Sequence, residues 1–145
     1  MTIKKSLFIA AFMLLATTMA NAAKKTIYKP WSNGKLKVSA NQRYLIHENG
    51  TPFFWLGNTA WLLPERLNRD EAEYFLAKER ELGYNVEQIQ VLNAIPTFNV
   101  YGQQANNKEF DFSKVSKPGV YGYWEHLDYI IDRAADNGIY IAMDC

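Results

Sequence analysis

The sequence predicts an α/β fold, the N-terminal part of a (β/α)8 TIM barrel with about three strands and two helices, preceded by a β-hairpin. Three observations carry this. From Phe53 onward, short apolar runs alternate with amphipathic helical ones, the order of a parallel sheet covered by helices. Helix passes to strand within a residue or two, through Gly83 and Gly138, whereas strand passes to helix through Asn58 to Leu67 and through the much longer Asn93 to Gly122. Long connections on one end only mark the C-terminal ends of the strands as the working face. Finally, the rival dinucleotide-binding sheet needs three glycines after its first strand, and "WLGNTAWLLPERL" offers the single Gly57. A barrel takes eight βα units and about 250 residues. Three strands do not close one, so "GIYIAMDC" is expected to be a cut rather than a finished end, leaving the third strand with an unpaired apolar edge.

The elements follow in order. Lys4 and Lys5, the apolar run Leu7 to Ala16 and the small-residue site Ala20-Asn21-Ala22 predict a signal peptide over residues 1–22. The run is short for a membrane span, so export is expected, to a bacterial periplasm or beyond, without stable membrane insertion after cleavage. Residues 23–35, with "KKTIYKPWSNGK" and without apolar periodicity, are expected to be an exposed lead-in, and residues 36–145 the incomplete barrel domain. A hairpin is predicted from Tyr44–Glu48 and Thr51–Phe54, joined at Asn49-Gly50 by a two-residue type I′ turn. "FFWLG" reads as a strand covered on both faces.

The first helix starts at Asn68, whose side chain stands three residues before Glu71 as a capping box requires, and it stops at Gly83. Its apolar face is expected to hold Ala72, Phe75, Leu76 and Leu82. "YNVEQIQVL" is the second strand, with Gln88 and Gln90 alternating against Ile89 and Val91. The second helix covers about Tyr123 to Asn137, burying Leu127, Ile130, Ile131 and Ala134 and exposing Glu125, Asp128, Asp132 and Asp136. His126 is expected on an outer or flanking face as a hydrogen-bonding residue. "IYIAMDC" is the third strand.

Composition excludes several functions. The chain's 16 basic residues less Lys4 and Lys5 leave 14 against 15 acidic ones, with no surplus to attract nucleic acid or anionic lipid. Cys145 is the lone cysteine and the histidines are two, so neither a disulfide scaffold nor a metal site is expected, and no cofactor is implied. Four tryptophans and nine tyrosines supply rings suited to core packing and to stacking on sugar faces.

The run "LKVSANQRYLIHENGTPFFWLGNTAWLLPERLNRDEAEYFLAKERELGYNVEQIQVL", with "YWEHLDYIIDRAADNGIYIAM", resembles the N-terminal portion of the apiosidase-like glycoside hydrolases of family 140. That resemblance spans Leu36 to Met143. It implies a (β/α)8 barrel that hydrolyses glycosidic bonds in plant cell-wall polysaccharide, with catalytic carboxylates on later strands, so the chain alone is expected to be inactive. The family usually has Asp where this sequence has Asn58.

Glycoside hydrolysis requires two carboxyl groups across the scissile bond. Helix-exterior acids such as Glu71, Glu73, Asp128 and Asp132 cannot meet at the strand ends. Binding roles therefore go to Asn58 and Trp61 after the first strand, Gln90 and Asn93 at the end of the second, and Asp144 at the end of the third. Trp61 is equally readable as a core ring, and the amides as loop or core hydrogen-bonding groups. Two other readings stand beside the hydrolase: a small exported carbohydrate-binding module without catalysis, and a stable structural remnant without ligand.

Overall fold

The computed structural model of the protein describes residues 29–106 and 120–144. The expected signal peptide, residues 1–22, lies outside them, as does Cys145. Among the described residues, two three-stranded sheets form. The first is antiparallel, in the order β1 (Leu36–Val38), β2 (Leu45–His47), β3 (Pro52–Phe53). The second is parallel, in the order β4 (Gly57–Thr59), β5 (Val86–Gln90), β6 (Tyr140–Asp144). A short helix α1 (Leu63–Arg66) and a long helix α2 (Arg69–Leu82) connect β4 to β5, and α3 (Tyr123–Asp136) precedes β6. This is the βαβαβ order expected from the sequence. Among the described residues, β4 and β6 are open edges on either side of β5.

The hairpin is present, but its turn has different chemistry. The Gly50 amide donates to the His47 carbonyl at 2.9 Å, and the His47 amide donates to the Thr51 carbonyl at 2.8 Å. Only Gly50, at φ 88°, enters the left-handed region. The loop therefore has three residues, with one left-handed glycine closing it, rather than two left-handed residues. Asn49 is used through its side chain, whose Oδ1 accepts from the Thr51 amide at 3.0 Å and the Thr51 hydroxyl at 2.8 Å.

The first parallel strand begins later than "FFWLG" suggested. Phe53 ends the hairpin sheet, Phe54 and Trp55 are exposed, and ladder pairing starts only at Gly57. One side chain explains the break. Asn85 Nδ2 donates to the Phe54 carbonyl at 2.7 Å while its Oδ1 accepts from the Leu56 amide at 2.9 Å, so backbone groups that a strand would pair are satisfied by an amide. The expected lead-in is likewise tethered at its C-terminal part: the Trp31 amide donates to the Tyr140 hydroxyl at 3.0 Å, the Trp31 ring meets Tyr140 edge-on, and Lys29 pairs with Asp136 at 2.7 Å.

Helix α2 carries the capping box read from the sequence. Asn68 Oδ1 accepts from the Glu71 amide at 3.0 Å, Glu71 Oε2 accepts from the Asn68 amide at 2.9 Å, and Gly83 closes the helix at φ 98°. Its inner face differs at one position. Ala72 and Leu76 are buried, but Leu82 is 70% exposed, because helical spacing from 72 and 76 leads to Glu79. Helix α3 is capped at Gly122, where the Glu125 carboxylate accepts from the Gly122 amide at 3.1 Å, and it buries Leu127, Ile130 and Ala134 while its four predicted acids stay exposed. The core lies between sheet and helices: Leu63, Ala72, Ile89, Val91, Leu127 and Ile130 form one cluster, and Leu76, Ala134 and Ile139 an adjoining one.

Candidate functional site

The parallel register sets the geometry. Gln90 on β5 lies opposite Asp144 on β6, and the Val91 amide donates to the Asp144 carbonyl at 2.8 Å. On the other side, the Gln90 amide donates to the Trp61 carbonyl at 2.9 Å, which carries the chain leaving β4 across the end of β5. Trp61, Leu62, Gln90, Asn93 and Asp144 consequently line one cavity of about 350 Å3 at the C-terminal ends of the three strands. Trp61 is 41% exposed, and Asn93 and Asp144 are exposed as well. The lining thus combines an open ring face, two amides and a single carboxylate. These groups hydrogen-bond hydroxyls and stack on an apolar ring face. One carboxylate does not make the pair that glycosidic cleavage requires.

Asn58 is placed elsewhere. In the ladder it lies opposite Glu87, and its Nδ2 donates to Glu79 Oε2 at 3.0 Å, so its side chain enters the layer between sheet and α2 rather than the cavity at the strand ends. There it belongs to a polar group of three: Asn58 on β4, Glu87 on β5 and Glu79 on α2. Glu87 is fully buried, and neither of its carboxyl oxygens has a hydrogen-bond partner. Burial first, and the neighbouring Glu79 carboxylate second, push the Glu87 pKa well above the usual carboxylate range. A proton on Glu87 removes the conflict, because the acid O–H then has Glu79 beside it as acceptor. Strand parity held the signal for this site, since Glu87 shares a face with Ile89, which packs against the helices.

The connection after β5 is built on buried polar side chains in its described part. The Thr97 hydroxyl donates to Glu65 Oε1 at 3.0 Å, and Asn106 Oδ1 accepts from the Thr97 amide at 3.1 Å. Asn99 Oδ1 accepts from the amides of Tyr101 and Gln103, while its Nδ2 reaches the Gly122 carbonyl at 3.2 Å. Thr97, Asn99 and Asn106 are all buried. Residues 107–119 of this connection lie outside the described ones.

His126 is fully buried, not on an outer face. Its Nε2 lies 2.9 Å from the Leu67 carbonyl, which only accepts, so Nε2 carries the proton and Nδ1, 2.8 Å away, accepts from the Tyr121 hydroxyl. Burial, with the Arg69 cation nearby as a smaller contribution, lowers its pKa and keeps it neutral. Around it the Tyr101 and Tyr121 rings meet edge-on with centroids 5.6 Å apart, Arg69 lies over Tyr121 and Tyr129, and the Arg69 amide donates to the Tyr101 hydroxyl at 3.0 Å. This cluster is structural: it joins the start of α2, the loop and α3.

Among the described residues, no group of three or more His, Cys, Asp or Glu side chains converges in a way that would hold a metal ion, and no helix is long and apolar enough to cross a membrane.

Comparison with known proteins places these features. Residues 39–145 match the family model described as "Apiosidase-like, catalytic domain". A solved structure described as a glycoside hydrolase superposes with a TM-score of 0.79 at 60% sequence identity, over 83% of this chain and 27% of its own. A second, described as a family 5 glycoside hydrolase from Bacteroides vulgatus ATCC 8482, has a TM-score of 0.79 at 57% identity, over 83% of this chain and 26% of its own. The chain thus spans about a quarter of the length of these relatives. No curated protein matches it.

Proposed function

Because the chain belongs to the apiosidase-like catalytic-domain family, matched over residues 39–145, we propose that it builds one side of the sugar-binding cleft of a (β/α)8-barrel glycoside hydrolase acting on plant cell-wall polysaccharide. In this reading residues 1–22 direct export to the periplasm or the cell exterior. The observation that carries it is the cavity at the strand C-termini, where Trp61, Gln90, Asn93 and Asp144 stand together. Open α/β sheets and barrels bind their ligands at that end of the strands. Trp61 stacks on a sugar ring, the amides hold hydroxyls, and Asp144 accepts from a hydroxyl pair. Asn58 takes no part in that cavity, its amide being held by Glu79 in the layer between sheet and helix. The catalytic carboxylates are not among these residues, so the 145-residue chain binds without turnover.

The match to a catalytic domain over most of the chain favours this reading over a free-standing carbohydrate-binding module. The test is a titration of the 145-residue chain with oligosaccharides released from plant cell wall, followed by tryptophan fluorescence and by product analysis. Trp61→Ala and Asp144→Asn are expected to weaken binding by about tenfold each, equivalent to ~1.4 kcal/mol, and no product is expected. Binding indifferent to both substitutions, or turnover by the 145-residue chain, would sink the proposal.

A further inference from the structure

A second cavity, of about 310 Å3, lies at the opposite end of the parallel strands, against the hairpin sheet. Leu56, Gly83 and Gly138, which line it, precede β4, β5 and β6, so it opens where those strands begin. No acidic residue lines it. Two cations do, and they differ in what they face. Lys29 is neutralised by Asp136 at 2.7 Å, whereas the Arg80 guanidinium has no ion-pair or hydrogen-bond partner among the described residues.

Other polar groups of the wall divide the same way. Asn85 spends its amide on the Phe54 and Leu56 backbone, and the Tyr140 hydroxyl accepts from the Trp31 amide. His47 Nδ1 remains buried without a partner. The apolar side of the wall includes Phe53 and Phe54, and Phe54 is 77% exposed. An unengaged guanidinium is a planar fork of donors matched to a carboxylate. Beside it stands an open aromatic face, which packs on the C–H face of a sugar ring. The volume is at the lower limit of small-molecule sites and suits a single ring.

We propose that this cavity binds a carboxylated sugar unit, a uronate, with its carboxylate on Arg80 and its ring against Phe54. The site is separate from the cleft at Trp61 and does not rest on that reading.

The experiment is an amide NMR titration of the 145-residue chain with glucuronate, glucose and inorganic sulfate in turn. Glucuronate is expected to shift the Gly83, Asn85 and Gly138 amides. Glucose and sulfate are expected to bind at least tenfold more weakly. Arg80→Gln and Phe54→Ala are each expected to weaken glucuronate binding about tenfold. Arg80→Lys, which keeps a cation on the last turn of α2 but removes the fork, is expected to restore less than half of the lost affinity; retained amide dispersion over β5 and β6 shows that each variant is folded. Glucose binding as tightly as glucuronate, sulfate alone matching it, or folded variants that bind like the parent would each overturn the proposal. Failure of oligosaccharide binding at Trp61 would leave these readouts unmoved.

Discussion

At position 87 a carboxyl side chain occupies a fully buried place that strand parity assigns to the helix-facing layer, with Glu79 and Asn58 as its neighbours. Its pKa is raised from 4.5 to about 8 by burial and by the Glu79 carboxylate. The folded chain therefore binds a proton that the unfolded chain releases across that interval. The resulting stability is fully present below pH 4.5 and is lost as pH rises through about 8. Urea unfolding of dilute protein is expected to show the Glu87→Gln chain losing less stability than the parent between pH 5 and pH 9, the parent's excess slope being at most about 1.4 kcal/mol per pH unit. Identical profiles for the two chains would show that no proton is held there. Asn58 fits the same account, since an amide donates to Glu79 where a carboxylate would add a third negative group.

The helices illustrate what is written locally and what is not. Asn68, Glu71 and Gly83 specify both ends of α2 through side-chain and backbone chemistry confined to a few residues, and the structure has these contacts. Asn68→Ala is expected to lower stability by about 1 kcal/mol, and Gly83→Ala by at least as much, since a Cβ is strained at φ 98°. Chemical denaturation of both variants against the parent measures this. The face of α2 was less legible. Leu82 looked like a core residue by type, but the periodic position belongs to Glu79, and only the Asn58 and Glu87 neighbours make a buried acid tolerable there. The same holds for "FFWLG", where apolar content suggested a buried strand and a distant asparagine, Asn85, diverted the backbone. Strand order and the ends of β5 and β6 did follow from the sequence, and they bring Trp61, Gln90, Asn93 and Asp144 to one cavity. The buried polar framework of Thr97, Asn99 and Asn106 did not follow, because its partners are up to tens of residues apart.

For the molecule as a whole, the parallel sheet is open at β4 and at β6 among the described residues. Met143 on β6 is 57% exposed, and Pro30, Trp31, Ile131, Ile139 and Ile141 border a groove of about 240 Å3 beside that strand. Unpaired backbone groups next to apolar side chains promote edge-to-edge pairing. The 145-residue chain is expected to associate with rising concentration in sedimentation velocity, and Met143→Lys to shift that onset to at least severalfold higher concentration. A chain that stays monomeric throughout would contradict this. The aromatic cluster around His126 has a different bearing on the architecture. Since Tyr101 and Tyr121 touch, and both are anchored to the helices through Arg69 and His126, the two feet of the intervening segment are fixed together. Closing such a loop depends only logarithmically on its length, by about 0.6 kcal/mol per doubling. Residues 107–119 are therefore a graft point, where longer or shorter stretches of sequence can be exchanged while the sheet, the helices and the framework of Thr97, Asn99 and Asn106 keep their places.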